Sequence, residues 1–271
     1  MAREREGGSD LVARIIVAIP AIAFAIFIVW RGGLVFALGL LVLGVIALHE
    51  LYTLMDRVKP AALAGFISLA GLLGAALYGD EQDVIMAMMA SVPVTFLLAL
   101  ARPRREHVSW AVAATLFGVV WIGLAMAHAI LLRETPHGDG LVVDVLVGTF
   151  VGDTFAYLGG RFYGRTPLAP RISPNKTLEG FAIGVVGGTA AFWFAGLYQD
   201  WLSGPHAVLI GALVAISAPM GDLFESLVKR DLAVKDTGNL FGPHGGVLDR
   251  LDAALFSIPT AYYAAVALGY G

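Results

Sequence analysis

Residues 33–51 of the chain read GLVFALGLLVLGVIALHEL, and no ionisable side chain occurs in this stretch before His49. A helix needs about 20 mostly apolar residues to cross the hydrocarbon core of a bilayer, and this stretch has that length and character. The whole composition agrees, because 58% of the 271 residues are hydrophobic and 14% are charged, whereas soluble domains carry about 25% charged residues. The mean hydropathy is +0.78. The sequence therefore predicts an all-α, polytopic integral membrane protein.

Similar apolar stretches follow one another along the chain, and we predict nine membrane spans. They cover residues 11–30, 33–51, 60–79, 83–100, 108–132, 142–160, 180–199, 206–228 and 252–270. We interpret the first as a retained helix and not as a signal peptide, because no clear small-residue cleavage site precedes the second span. Five spans fall in an N-terminal region, 1–140. Four fall in a C-terminal region, 141–271, which also contains the two longest polar loops.

The positions of lysine and arginine predict the orientation, because these residues accumulate on the cytoplasmic side of membrane proteins. With the N-terminus in the cytoplasm, 16 of the 18 basic residues fall in inside segments, and only Arg31 and Arg133 fall outside. Nine spans then place the C-terminus outside. Five aromatic residues are expected near the outer interface, where aromatic belts form: Trp30, Tyr78, Tyr198, Trp201 and Tyr270.

Several classes of site are excluded by what the sequence lacks. Without cysteine there is no disulfide framework, no iron–sulfur cluster and no thiolate zinc site. The chain has no Walker A motif, no dinucleotide-binding fingerprint, no HExxH and no serine nucleophile elbow. We expect His49 and Glu50 to lie at the water interface. We interpret Gly180, Gly184 and Gly188, each four residues apart, as a surface for close helix packing.

The first polar constellation is MGDLFESLVKRD, residues 220–231. On a helix, Asp222, Ser226 and Lys229 share one face, and Glu225 lies beside them. A charge at bilayer depth costs several kcal/mol unless it is paired or hydrated, so Asp222 is a candidate functional residue. The alternative is a solvated helix end with a stabilising Glu225–Lys229 pair, which leaves the deeper Asp222 unexplained.

The second constellation is FGPHGGVLDRLD, residues 241–252. Glycines such as Gly245 and Gly246 let backbone N–H groups approach an anion closely. Nearby cations suit phosphate groups, and arginine can bind them with two hydrogen bonds; they are Arg230, Lys235 and Arg250. Asp222 and Asp249, brought together from two helices, match the preference of Mg²⁺ for carboxylates combined with substrate phosphates. This combination suits phosphoryl or nucleotidyl transfer.

The third constellation lies in residues 151–180, at the inner end of the sixth predicted span. Asp153 stands within that span, and a basic loop with several prolines and glycines follows. The basic residues include Arg171 and Lys176. The loop is either an ordered part of a site or only a signal for membrane topology.

These residues resemble a known family, the phosphatidate cytidylyltransferases, also called CDP-diacylglycerol synthases. The resemblance rests on SLVKR at 226–230, KDTG at 235–238 and HGGVLDRLD at 244–252. It extends to SPNKTLEG at 173–180 and DTFAYLGGR at 153–161, and so covers roughly residues 150–270. One difference is Gly242-Pro243-His244, where many members have Pro-Gly-His; both orders form a turn.

The resemblance implies a reaction in which CTP and phosphatidic acid give CDP-diacylglycerol and pyrophosphate. It implies a paired metal centre on Asp222 and Asp249, in which one ion is Mg²⁺ and K⁺ is a candidate for the other. The implied catalytic residues are Asp222, Lys229, Arg230, Lys235, His244, Asp249 and Arg250. The implied substrate-binding residues are Asp153, Arg171, Ser173, Asn175, Lys176, Ser226, Asp236, Gly245 and Gly246. For His244, a phosphate donor and a loop-ordering role both remain open.

The resemblance also implies a multi-pass protein of a bacterial-type inner membrane, with its catalytic loops in the cytoplasm. The expected partners are CTP, phosphatidic acid, the lipid bilayer and a second copy of the chain in a homodimer, and no nucleic acid. A cytidylyltransferase for another lipid stays open as an alternative. A transporter or cation channel is disfavoured, because the charges cluster at one face and leave the outer half nearly uncharged. A noncatalytic scaffold would not need both a carboxylate pair and a glycine nest. A phosphotransferase that consumes CDP-lipid is disfavoured, because its D-G-x2-A-R motif is absent.

Overall fold

The computed structural model describes residues 20, 22–101, 107–238 and 245–271. The first short helix is α1 (Ile22–Arg31). The later helices are α2 (Gly33–Leu54), a 3-10 turn (Asp56–Val58), α3 (Ala62–Tyr78), α4 (Glu81–Leu100), α5 (Val108–Gly118), a π-helix (Val119–Leu124), α6 (Ala125–Glu134), α7 (Gly138–Tyr163), α8 (Leu178–Gly196), α9 (Gly204–Asp231), α10 (Leu248–Leu251) and α11 (Ala254–Ala267). Two strands, β1 (Pro167–Ala169) and β2 (Ser173–Thr177), lie between α7 and α8.

The predicted class, an all-α membrane protein, is confirmed. Within the residues that the structure describes, six helices are long and apolar enough to cross a bilayer. They are α2, α4, the continuous helix Val108–Glu134, α7, α8 and α9. Each coincides with one predicted span, and α3 coincides with the predicted span 60–79 but has 17 residues. The predicted span 252–270 contains α11 with 14 residues, and most of the predicted span 11–30 lies outside the described residues.

The core is built around α6 and the π-helix that precedes it. Every residue from Ala125 to Leu132 is buried, so this helix is surrounded by others. Aromatic rings join this central helix to the C-terminal region: the rings of Trp121 and Phe224 lie 4.9 Å apart, and Phe224 lies 5.5 Å from Phe256. The packing fixes the rotation of α9, because the residue after Phe224 on this helix belongs to the candidate site.

The contact between α7 and α8 is made by glycines on both sides. A Cβ at Gly188 would lie 2.8 Å from the carbonyl oxygen of Gly148, and a Cβ at Gly184 would lie 3.0 Å from that of Gly152. At such distances the backbones leave no room for side chains, as at other small-residue contacts in membranes. The predicted packing role of Gly184 and Gly188 is therefore confirmed, and it holds α7 directly beside α8.

A two-stranded hairpin between α7 and α8 was not predicted. Strands β1 and β2 pair antiparallel, with Ala169 opposite Ser173. Glu179, in the first turn of α8, accepts hydrogen bonds from the backbone N–H groups of Arg165 (3.0 Å) and Thr166 (3.1 Å) and from the Thr166 hydroxyl (2.9 Å). Of the two readings of this basic loop, the structure supports the ordered one.

Arg31 and Arg133, the two basic residues that do not fall in the predicted inside segments, lie at one end of the molecule. The Nε–H of Arg133 donates to the Val29 carbonyl over 2.8 Å, next to Arg31 at the end of α1. Trp201 packs against Tyr270 at a ring distance of 5.6 Å and stacks on His137 at 4.7 Å. Aromatic residues of this kind collect at membrane interfaces.

Candidate active site

A cavity of about 370 Å³ lies between α7, α9 and the segment around α10. Small residues of the two long helices form one part of its wall: Gly148, Gly152, Ala215 and Ala218. Ionisable residues form the other part: Asp153, Asp222, Glu225, Lys229, Asp236, Asp249, Arg250 and Asp252. The cavity therefore has an apolar part within the helices and a polar part at their ends.

Helix α9 presents its polar residues to this cavity on one face, as predicted. Asp222, Glu225 and Lys229 all line it, and the Ser226 hydroxyl lies 3.4 Å from the Asp222 carboxylate, to which it donates. Lys229 donates to Glu225 over 2.5 Å, so the pair considered as the alternative does exist. Glu225, however, is only 1% exposed, so this is not a solvated helix end.

Three carboxylates meet at the polar end of the cavity. One oxygen from each of Asp222, Glu225 and Asp252 lies within 4.8 Å of the other two. The Oε1 atom of Glu225 is buried and has no hydrogen-bond partner among the described residues. Buried polar atoms are usually satisfied, and a hard cation such as Mg²⁺ takes oxygen ligands of this type. The three side chains therefore fit a divalent cation.

Asp249 lies beside this group, and its carboxylate is held by several donors. Its Oδ2 accepts hydrogen bonds from Thr237 N (2.8 Å), Thr237 Oγ1 (2.8 Å) and Gly246 N (2.7 Å), and its Oδ1 accepts one from Lys229 (2.8 Å). Burial by itself raises the pKa of this carboxyl, but the bonds from Lys229, Gly246 and Thr237 outweigh it, and the pKa is lowered from its usual value. Asp249 is therefore ionised at neutral pH.

The turn that carries Asp249 depends on a glycine. Gly245 has a φ of +75°, and a Cβ at this position would meet the Asp249 carboxylate. The Gly246 N–H, which the sequence suggested for a phosphate, donates to Asp249 in this structure. The predicted glycine nest is thus occupied by protein carboxylates, and the assignment of Gly245 and Gly246 to substrate binding stays a prediction.

The electrostatic balance of the cavity is negative. Among the described residues that line it, six are aspartate or glutamate and two, Lys229 and Arg250, are cationic. Lys176 of β2 adds a third positive charge, because its ammonium group forms an ion pair with Asp222. A triphosphate brought to this place would be repelled by the carboxylates unless a cation balanced them.

The other predicted residues fall into two groups. Asp153, Asp236 and Arg250 line the cavity, and Lys176 reaches it through Asp222. The remaining described residues do not line the cavity: Arg230 donates to the Ile172 carbonyl of the hairpin over 3.3 Å, Ser173 is partly buried, and Arg171, Asn175 and Lys235 are exposed. His244 lies outside the described residues.

The prediction for Glu50 was wrong, although His49 is exposed as expected. Glu50 is 8% exposed, and its carboxylate accepts hydrogen bonds from the backbone N–H groups of Val247 (3.0 Å) and Leu248 (2.9 Å). Two further residues were not assigned to the site. The spacing of three places Asp249 and Asp252 on one side at the start of the predicted ninth span, while nothing local in the sequence marks Thr237 as a donor to Asp249.

Comparisons with known proteins identify the family that the chain matches. A model of the cytidylyltransferase family matches residues 12–268 of the chain. The chain is 32% identical to a phosphatidate cytidylyltransferase of Bacillus subtilis over 265 residues, which make up 94% of this chain and 97% of that protein. It is 30% identical to a phosphatidate cytidylyltransferase of Staphylococcus saprophyticus over 257 residues, with 91% and 95% covered.

The match to some other relatives is shorter. A phosphatidate cytidylyltransferase of Mycobacterium leprae is 37% identical over 164 residues, which are 60% of this chain and 53% of that protein. The chain thus spans about half the length of the mycobacterial relative.

Proposed function

Because the chain belongs to the cytidylyltransferase family, we propose that it is a phosphatidate cytidylyltransferase, which transfers CMP from CTP to phosphatidic acid. The observation that carries the proposal is one cavity with a carboxylate cluster and several cationic side chains at the ends of apolar helices. The polar end of the cavity suits a phosphate-rich nucleotide. The apolar end suits a lipid whose headgroup must reach that nucleotide while its acyl chains stay in the bilayer.

The carboxylate cluster supports a Mg²⁺ requirement. We assign Asp222, Glu225 and Asp252 to the ion, since their oxygens converge and one Glu225 oxygen is buried without a partner. Asp249, proposed from the resemblance as the second metal ligand, lies beside them and is linked to Glu225 through Lys229. A bound divalent ion supplies positive charge to neutralise the triphosphate and the leaving pyrophosphate. K⁺ remains a candidate for a second ion near these carboxylates.

The reaction is an in-line displacement at the α-phosphorus of CTP. An oxygen of the phosphatidate phosphate forms a new P–O bond to the α-phosphorus, and the bond from that phosphorus to the oxygen bridging to the β-phosphate breaks. Pyrophosphate leaves with the electron pair. The lipid phosphate is already ionised near neutral pH, so the step needs no dedicated general base.

The side chains of the protein then act by positioning and by charge, which carry most of the catalysis in phosphoryl transfer. Lys229 and Arg250 line the cavity, where they hold phosphate oxygens. The exposed Arg230 and Lys235 guide the triphosphate, and Lys176 gives up its ion pair with Asp222 to contact a phosphate. Asp249 keeps Lys229 in place between two carboxylates.

We further propose nine spans, a cytoplasmic N-terminus and a site at the cytoplasmic face of an inner membrane. The distribution of 16 of the 18 basic residues supports this orientation. Arg133 bonds to the end of α1, which carries Arg31, so that both exceptions belong to one end of the molecule. CTP is a cytosolic nucleotide, which fits a site on that side. A homodimer remains a proposal from the family resemblance.

The experiment that tests the function is pyrophosphate release by purified protein in detergent, with CTP, phosphatidate and Mg²⁺. We expect release that depends on both the nucleotide and the lipid, and that is lost in Asp249→Asn. The matched control is Asp139→Asn, which changes an exposed aspartate in the first turn of α7 and should retain activity.

Three outcomes would contradict the proposal. Release with a polyprenyl phosphate or an archaeal ether lipid but not with phosphatidate would assign another lipid substrate. Solute flux in liposomes without CTP turnover would favour a transporter. Full activity in Asp249→Asn would show that the Asp249 carboxylate has no role in the reaction.

A further inference from the structure

A buried carboxylate from the N-terminal region reaches the segment that carries two aspartates of the site. Glu50 lies near the end of α2, is 8% exposed, and is separated from Leu248 by 198 residues of sequence. Its Oε1 accepts a hydrogen bond from Val247 N at 3.0 Å, and its Oε2 accepts one from Leu248 N at 2.9 Å. The Thr237 hydroxyl is 3.4 Å from Oε2. Both carboxylate oxygens of Glu50 therefore accept hydrogen bonds.

The bonds fall on three consecutive backbone N–H groups at the start of α10, those of Gly246, Val247 and Leu248. The Gly246 N–H donates to Asp249, and the next two N–H groups donate to Glu50. A carboxylate that accepts the free N–H groups at the start of a helix stabilises that start. Glu50 thus determines where the turn of Leu248–Leu251 begins, and this turn carries Asp249 and leads to Asp252.

The space around the Glu50 carboxylate is closed by glycines. A Cβ at Gly238 would lie 2.6 Å from Glu50 Oε1, and a Cβ at Gly246 would also collide with the carboxylate. Gly238 follows Thr237, whose backbone N–H and hydroxyl both donate to Asp249. The two segments that hold Asp249 are therefore both packed against Glu50.

We propose that Glu50 is a positioning residue for the reaction, which orients Asp249 and Asp252 by holding the backbone of Val247 and Leu248. This inference rests on the proposed function, and it assigns Glu50 no contact with substrate. Groups that orient metal-site side chains usually contribute about 10- to 100-fold to metal affinity or activity. A purely structural role would instead change the amount of folded protein and leave the folded fraction fully active.

The test compares wild type, Glu50→Gln and Glu50→Asp in detergent. Glutamine keeps the shape of the side chain, but its NH₂ group is a donor and cannot accept from a backbone N–H. We expect kcat to fall about 10- to 100-fold in Glu50→Gln, with a smaller change in the KM for CTP. Glu50→Asp retains two acceptor oxygens and should recover part of kcat.

A second readout does not need turnover. Mn²⁺ binding, followed by its paramagnetic resonance signal, reports on the carboxylate cluster directly, and we expect it to be about 10-fold or more weaker in Glu50→Gln. The matched control is Glu134→Gln, which alters an exposed glutamate at the end of α6 and should match wild type in both readouts. Thermal unfolding shows that each variant is folded.

The outcomes separate this inference from the proposed function. Folded Glu50→Gln with wild-type kcat and Mn²⁺ affinity would overturn the inference. If wild type itself released no pyrophosphate, the proposed function would fail, and Mn²⁺ binding alone would decide the role of Glu50. If Glu50→Gln did not fold, Gly238→Ala would decide, because its methyl group displaces the Glu50 carboxylate. Its control is Gly71→Ala, where a Cβ meets no atom within 4 Å.

Discussion

Lys229 is the side chain at which the two carboxylate groups of the site meet. Its ammonium group binds Glu225 at 2.5 Å and Asp249 at 2.8 Å. If it is replaced by methionine, these two carboxylates lose their shared counter-charge and the phosphates lose a donor. Removal of one such electrostatic contact typically costs about 10²–10³ in kcat.

We therefore expect Lys229→Met to lower kcat by about 10²-fold or more, measured as lipid-dependent pyrophosphate release. Arg57→Met, at an exposed position after α2, is the control and should retain activity. Wild-type turnover in Lys229→Met would show that this ammonium group serves only the packing of α9.

Asp249 gives a prediction for pH, because its pKa is lowered in the folded protein. A carboxyl whose folded pKa is depressed stabilises the fold above its unfolded pKa, near 3.9. That contribution is lost as the pH falls through the folded pKa. We expect the difference in melting temperature between wild type and Asp249→Asn to be constant from about pH 5.5 to 8 and to shrink below about pH 4. A difference that grew on acidification would contradict the assignment.

Individual residues could be predicted from the sequence where helical spacing or a motif brings them together. Asp222 and Lys229 share a face of α9, and that prediction is confirmed because both line the cavity. Glu50 could not be found in this way. Its position at the end of an apolar span is equally compatible with exposure to water, and its partners are backbone amides, which no side chain in the sequence identifies.

At the scale of elements, the glycine contact of α7 and α8 sets the separation of the helices behind the cavity. Gly188 is one of its close points, with a potential Cβ 2.8 Å from the Gly148 carbonyl oxygen. We expect Gly188→Leu to destabilise the protein by about 1–3 kcal/mol or more through overpacking, measured as a lower melting temperature in detergent. Gly71→Leu adds the same side chain where a Cβ meets no atom within 4 Å, and should have little effect. Equal melting temperatures for the two variants would contradict the close contact.

The helices were predictable and the hairpin was not, for a physical reason. An apolar run of about 20 residues is a strong signal, since the bilayer fixes the length of a spanning helix. Strand β2 reads SPNKT, is five residues long and is partly exposed, so it has no alternating apolar pattern that would indicate a strand. Strand β2 pairs with β1, and Glu179 holds the segment just before β1, where it accepts two backbone N–H groups and a hydroxyl.

For the whole molecule, the proposed orientation can be tested with single cysteines, because the chain has none of its own. Asp200 precedes α9 and Asp231 is its last residue, so the two exposed aspartates lie at opposite ends of one candidate span. We expect a membrane-impermeant maleimide to label Asp200→Cys on intact cells and Asp231→Cys only after permeabilisation. The cysteine-free parent is the control. The reverse pattern would invert the proposed orientation.

The sequence divided the chain into an apolar N-terminal region and a polar, catalytic C-terminal one. The second region does contain the cavity, since the described residues that line it all belong to 148–253. The first region nevertheless contributes Glu50, whose carboxylate accepts hydrogen bonds from the backbone just before Asp249. Hydropathy describes each span separately and carries no information on which spans touch, so this connection between the two regions required the structure.

The long separation between Glu50 and the amides that it binds has a consequence for biogenesis. At translation rates of about 5–20 residues per second, the 198 residues from Glu50 to Leu248 take roughly 10–40 s to synthesise. Helix α2 is inserted well before the loop of Val247 and Leu248 leaves the ribosome. During that interval the Glu50 carboxylate is hydrated, because the amides of Val247 and Leu248 have not yet been made. The loop of Val247 and Leu248 therefore completes the site only after α2 is in place, and a nascent chain that stalls before this loop would be bound to the membrane without the amides that hold Glu50.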